Sequence, residues 1–193
     1  MVNLTRIYTR TGDDGTTALG DFTRTDKNDA RLIAYADVDE ANACVGLVSV
    51  TAKLDADVHQ TLLKIQNDLF DVGADLCTPP AETGTQLRIT HDYVTWLESQ
   101  IDSYNSGLEP LRSFVLPGGT EIAARLHQAR TVVRRAERAT WAASRAFPGQ
   151  VNPLAAQYLN RLSDLLFVLS RYTNREAGDL LWQPGRRQQG EPA

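Results

Sequence analysis

The sequence predicts an all-α protein, a five-helix up-and-down bundle led by a long N-terminal loop. Three observations carry that expectation. Apolar residues recur at alternating four- and three-residue steps, capping residues and prolines bracket those stretches, and no strand–helix alternation divides the chain. With 193 residues, 42% of them hydrophobic and 23% charged, the chain has the composition of a soluble globular protein with one core.

The first ~28 residues are polar and glycine-rich without sustained periodicity, which reads as a loop with room for a short strand. A helix begins near Asp29 and carries the stripe Ala34, Val38, Ala41, Val45 and Val48. The second follows Asp55 as N-cap, carries Val58, Leu62, Ile65, Leu69, Val72 and Leu76, and stops at Thr78-Pro79-Pro80. The third is shorter, from Thr90 through Val94, Leu97, Ile101 and Tyr104, and is ended by Gly107 and Pro110. The fourth has Thr120 as N-cap and Glu121 in its first turn, with Ile122, Leu126, Ala129, Val133 and Ala136 on its inner face. The fifth opens on Asn152-Pro153, with Leu159, Leu162, Leu166 and Leu169 inward. Near-heptad seams joined by modest loops mean a bundle. Residues 1–182 read as a single domain, and 183–193, rich in Pro, Gly and Gln, as a disordered tail.

Composition excludes several functions. A net charge of −4 argues against nucleic acid as a partner. No run of 18 apolar residues predicts a membrane span, and Met1–Tyr8 lacks the features of a signal or transit peptide, so a cytoplasmic protein is expected. Cys44 and Cys77 lie outside any CxxC and read as packing residues. His59, His91 and His127 form no HxxxH or HExxH, so no metal-ligand set is expected, and no Ser–His–Asp order or GxSxG occurs.

Polar residues sit beside the apolar seams. On the first helix these are Tyr35, Asp39, Asn42, Gly46 and Ser49. On the fourth they are His127, Arg130, Arg134, Glu137 and Arg138, and on the fifth Asn160 and Ser163. Residues 125–145 hold six arginines and one acid in an otherwise acidic chain. Arg130, Arg134 and Arg138 are successive like-charged i,i+4 neighbours, which costs helix stability unless a carboxylate or an anion compensates. Asp39 or Glu40 could compensate from within, a polyphosphate from outside, and a solvated face is the plain alternative. Arg145, near the helix end, reads as lying off this stripe. Arginine's planar fork suits phosphate better than lysine does. In Thr9–Thr17, TRTGDDGTT, glycines permit consecutive N–H groups to face one anion, although such a stretch is also an ordinary turn. It is no Walker A loop, and Lys27 follows on the same segment.

Five segments taken together resemble the PduO-type ATP:cob(I)alamin adenosyltransferases over roughly residues 6–178. They are TRTGDDGTT (9–17), KNDARLIAYADVDEANACVGL (27–47), IQNDLFDVGADLCTP (65–79), FVLPGGTEIAARLHQARTVVRRAER (114–138) and NRLSDLLFVLSRYTNREAG (160–178). Tyr35–Glu40 reads YADVDE where the family usually has YGxVDE, and Asp14 stands where lysine is common.

The resemblance implies a homotrimer of five-helix bundles with ATP, as its magnesium complex, bound between subunits beside a corrinoid. It assigns Thr9, Thr11, Gly12, Asp13, Gly15, Thr17 and Lys27 to the triphosphate loop. Arg130 and Arg134 would face ATP, joined by Glu137, Arg138 and Asn160. Asp39 would pair with Arg130 across the subunit boundary, and Phe114 would close the cobalamin pocket. A flavoprotein reductase and an adenosylcobalamin-dependent enzyme are the implied partners. A carrier or sensor that binds ATP and corrinoid without turnover is the rival reading, and a purely structural bundle is a third.

Overall fold

The computed structural model describes residues 7–80 and 86–185. Residues 186–193 of the expected tail lie outside them, and 183–185 are described and exposed. Five helices form where the periodicity placed them: α1 Ala30–Ser49, α2 Ala56–Cys77, α3 His91–Asn105, α4 Glu121–Ala146 and α5 Pro153–Tyr172. The N-terminal stretch is not loop throughout. It folds into an antiparallel hairpin, β1 Thr16–Ala18 with β2 Arg24–Asp26, pairing Thr17 with Thr25. Strands of three residues leave too little alternation to show as a period.

The caps explain the helix starts. Asp29, Asp55, Thr120 and Asn152 each accept an orphan backbone N–H of the first turn with the side chain. Thr90 precedes α3 without a side-chain cap bond. Helix α1 packs between α2 and α4, α4 against α5, and α5 against α3. The predicted stripes are the core: Val38, Val45, Leu62, Leu69, Leu126, Val133, Leu159 and Leu166 are all buried. No helix of the described residues is long and apolar enough to cross a membrane.

Helix α3, whose apolar face is the smallest, is fastened by aromatic side chains. Tyr104 stands edge-on to Tyr172 at 4.9 Å and shares a hydrogen bond with Thr61. Tyr93 donates to Asp71, and burial together with that carboxylate pushes its hydroxyl up to about 12. The chain entering α3 is anchored by Asp75, a buried carboxylate on α2. It accepts from the Arg88 guanidinium at 2.6 Å, the Ile89 N–H at 2.8 Å and the Asn152 amide at 2.7 Å. Asn152 also caps α5, so one carboxylate joins α2, the approach to α3 and the start of α5.

The start of α1 is tied to the α4–α5 connection by a second buried pair. Arg31 donates to Asp29 at 2.7 Å and 3.1 Å, reaches Gln150, and lies 4.0 Å over the Phe147 ring. The Arg31 hydrogen bonds hold the Asp29 carboxyl down at about 2 from 3.8. Because the folded-state value is depressed, the stability this group adds is present above pH ~4 and drains as pH falls toward 2. The shift corresponds to about 2 kcal/mol. Asp29→Asn keeps a capping oxygen but loses the charge. Urea melts across pH should show it about 2 kcal/mol less stable at pH 7 and converging with wild type as pH approaches 2.

Candidate functional site

Helix α4 carries the arginine stripe because its other side is committed to the core. Ala129, Val133 and Ala136 are fully buried, so Arg130, Arg134 and Arg138 share the adjacent face. The arginines that serve the fold are ion-paired: Arg31 with Asp29, Arg88 with Asp75, Arg171 with Asp179. Arg130, Arg134 and Arg138 have no ion pair among the described residues. The Arg130 Nε is buried and without a hydrogen-bond partner. Burial, then the neighbouring Arg134 charge, pushes the Arg130 guanidinium below its ordinary value. Such an environment lacks an anion.

The internal compensation that Asp39 or Glu40 could offer goes elsewhere. Glu40 and Asp37 both receive Arg135, which lies off the stripe. Asp39 is exposed on α1 and has no ion pair among the described residues. Part of the polar strip on α1 faces α2 and not a ligand. Asn42 is buried and donates to the Gln66 carbonyl, and Tyr35 packs over Gly73. Arg145 is not off the stripe. It lines one groove of about 540 Å³ with Arg138 and Trp141, because seven residues return a helix to nearly the same face. Glu137 and Asn160 meet at 3.4 Å, linking α4 to α5 beside the arginines.

The 9–17 loop folds back on the second strand of the hairpin. Gly15 adopts φ +82, a conformation that favours glycine. Lys27 donates through Nζ to the Gly12 carbonyl at 2.6 Å and through its N–H to Gly15, closing the loop while leaving ammonium donors free. Arg24 reaches the Thr11 carbonyl at 2.7 Å, and Thr9 and Thr11 share a hydroxyl bond. Asp14 caps Thr16 through both its N–H and its hydroxyl, bonds that lower the Asp14 carboxyl. Asp13 and Thr17 lie on the same turn and strand. The hairpin is pinned to the end of α2 by the Gly20 N–H on the Cys77 carbonyl. No hydrogen bond or ion pair among the described residues joins this loop to the α4 arginines.

Phe114 projects into solvent, 76% exposed, from a short extended segment before α4. A strap formed by the chain after α5 pairs with it. The Leu116 N–H donates to the Leu180 carbonyl, the Trp182 N–H to the Phe114 carbonyl, and Ser113 Oγ to the Trp182 carbonyl. The Trp182 ring lies 5.9 Å from that of Phe114. The buried Arg171 guanidinium grips the strap at Asp179 and the α3–α4 connection at the Glu109 carbonyl. Asn174 is a second anchor, accepting the Thr120 N–H and donating to the Gly178 carbonyl. Sequence reasoning missed Trp182, Arg171, Asp179 and Asn174. The apolar run Leu180-Leu181-Trp182 after Gly178 was the available signal.

A family model described as cobalamin adenosyltransferase matches residues 7–173. A corrinoid adenosyltransferase of Mycobacterium tuberculosis is 59% identical over 186 residues, covering 95% of this chain and 96% of that protein. A cobalamin adenosyltransferase of Cupriavidus metallidurans is 48% identical over 185 residues, covering 95% and 97%. Among solved structures, a variant PduO-type ATP:corrinoid adenosyltransferase from Lactobacillus reuteri, complexed with cobalamin and ATP, superposes with a TM-score of 0.85. It is 36% identical and covers 92% of this chain and 99% of its own.

Gly119 adopts φ +98, and a Cβ there would collide with the Asn174 amide. Gly119→Ala should therefore displace the strap anchor while leaving the α4 arginines in place. Emission from Trp182, isolated by replacing Trp96 and Trp141 with Phe, should shift toward that of solvated tryptophan. Far-UV circular dichroism should stay at the wild-type value, because the helices themselves are left intact.

Proposed function

The chain belongs to the cobalamin adenosyltransferase family, and on that premise we propose that it transfers the 5′-deoxyadenosyl group of ATP to the cobalt of cob(I)alamin and releases triphosphate. The observation that carries this reading is the charge along α4, where among the described residues three successive arginines lack a counter-ion and one has a buried, unpartnered nitrogen. A triphosphate supplies the missing negative charge, and guanidinium forks receive phosphate oxygens in pairs.

The chemistry asks little of the protein beyond position and charge. The electron pair of Co(I) forms the bond to C5′, and the C5′–O bond breaks. The leaving triphosphate takes that pair of electrons, and cobalt becomes formally Co(III). No proton moves in this step, so no general base is required. Arg130, Arg134 and Arg138, joined by the Glu137–Asn160 pair, face the nucleotide and stabilise charge on the leaving group. The loop of Thr9, Thr11, Gly12, Asp13, Gly15 and Thr17, with Lys27, wraps the same triphosphate. Holding nucleotide and corrinoid in line supplies the rest. Among the described residues no three metal-ligating side chains cluster. The loop's hydroxyls and the Asp13 carboxylate fit a Mg²⁺ that arrives on the triphosphate and keeps phosphate and water ligands. Phe114 stands over the corrinoid and keeps water and the lower ligand from cobalt, which favours reduction. A flavoprotein reductase supplies the electron, in the cytoplasm, and an adenosylcobalamin-dependent enzyme receives the product.

No hydrogen bond or ion pair among the described residues joins the loop to the arginine stripe, which supports a homotrimer in which each site draws its loop and its stripe from different subunits. Asp39, exposed on α1 and without an ion pair among the described residues, is then the partner of Arg130 on a neighbouring copy. Asp39→Asn should weaken the trimer in sedimentation velocity at micromolar concentration and weaken ATP binding with it, because it leaves a buried guanidinium uncompensated. A wild-type monomer, or an unaffected mutant, would contradict this.

The direct test is anaerobic incubation with ATP and cob(I)alamin, following the corrinoid spectrum and triphosphate release together. Binding without triphosphate release would identify a carrier or sensor. Arg134→Lys keeps the charge but loses the fork, so kcat/KM for ATP should fall at least ~10-fold, the loss of one or two charge-assisted hydrogen bonds. Arg161→Lys, whose side chain serves Glu98 and Asp164 on the far side of α5, is the control and should stay near wild type.

A further inference from the structure

His127 is a charge-bearing residue type that no step above uses. It lies on α4 one turn before Arg130, is 3% exposed, and its Nδ1 is buried without a hydrogen-bond partner. An unpaired polar atom of this kind costs as much as a lost hydrogen bond, so it needs a role or a missing partner. Its surroundings are defined on three sides. The Phe167 ring of α5 stands edge-on at 6.2 Å, Arg130 follows on its own helix, and Asp179 of the strap acts on it electrostatically. Burial and then the Arg130 charge push the imidazole below its ordinary value, and Asp179 pulls more weakly the other way. The ring is therefore neutral at physiological pH, with one nitrogen protonated and one able to accept.

Its position separates two halves of the site. Arg134 and Arg138 lie toward the C-terminal end of α4, where the anionic charge is needed. His127 lies toward the N-terminal end, within electrostatic reach of Asp179 on the strap that pairs with Phe114. Arg130 is a donor only and is already assigned to the triphosphate, so the lone pair of the imidazole is left for a different group. A neutral imidazole with a free lone pair matches an N–H donor. On a corrinoid that donor is the N–H of a peripheral primary carboxamide.

We propose that His127 is a corrinoid-contacting residue, whose Nδ1 receives a peripheral carboxamide of the corrin ring and so fixes the ring's rotation beneath Phe114. This rests on the adenosyltransferase reading and deepens it.

The chain has three histidines, His59, His91 and His127, so ¹⁵N spectra of the imidazoles are readily assigned by replacing each in turn. The wild-type protein is titrated with Mg·ATP alone and with adenosylcobalamin, a diamagnetic corrinoid. The proposal expects the His127 Nδ1 resonance to move with adenosylcobalamin and to stay in place with Mg·ATP. Movement with Mg·ATP alone would assign the ring to the nucleotide and overturn it. No movement with either, in protein that still forms adenosylcobalamin from ATP and cob(I)alamin, would show that a buried water or the fold itself satisfies the nitrogen, and would overturn it too. Protein that forms no adenosylcobalamin removes both this proposal and the reading beneath it. His127→Leu should raise KM for the corrinoid about 3- to 10-fold, the effect of one neutral hydrogen bond, and leave KM for ATP within about 2-fold. Equal losses for the two substrates would mean a packing role only.

Discussion

The proposed chemistry of this protein rests on an electrostatic constraint on one helix. Helix α4 must give one side to the core, where Ala129, Val133 and Ala136 are fully buried. The neighbouring face then holds Arg130, Arg134 and Arg138 at successive turns, so their charges repel along the helix. The fold does not relieve this. It uses Asp37 and Glu40 on Arg135, Asp29 on Arg31, Asp75 on Arg88 and Asp179 on Arg171. Acids are thus available throughout the bundle, yet none forms an ion pair with the stripe arginines among the described residues. A buried guanidinium nitrogen without a partner among the described residues is the feature that the proposed anion would satisfy.

The remaining architecture keeps that face open and brings the other reactants to its ends. The buried Asp75 node fixes where α5 starts relative to α2, and the Asp29–Arg31–Phe147 contact fixes α1 against the α4–α5 connection. Those two anchors set the separation of the helices that flank the stripe. At the opposite end, Arg171 and Asn174 tie the strap to the segment carrying Phe114. The proposed site has a polar half on α4 and an aromatic half at the strap. An alkyl transfer between a charged nucleotide and a large flat macrocycle needs that division, since the leaving group wants charge and the cobalt face wants water excluded.

The helices were legible because each obeys local rules. The stripes at three and four residues became the buried seams, and Asp29, Asp55, Thr120 and Asn152 cap as their positions suggested. The hairpin was harder, since three-residue strands have no period to detect. Of the site, the stripe was visible as an unfavourable charge pattern, and the loop only through its resemblance to a family. The strap was not read, because its meaning lies in pairing across more than 60 residues, Leu116 with Leu180 and Phe114 with Trp182. Arg145 was misplaced by attention to four-residue steps alone, when a seven-residue step returns it to the face of Arg138.

The central claim is that the α4 arginines are a site for the triphosphate itself and not only for a whole nucleotide. Inorganic triphosphate with Mg²⁺, added to the wild-type protein without adenosine or corrinoid, tests it most directly by thermal unfolding and by competition with ATP. The account predicts that triphosphate raises Tm and displaces ATP, and that adenosine at the same concentration does neither. Stabilisation by adenosine with no effect of triphosphate would contradict it.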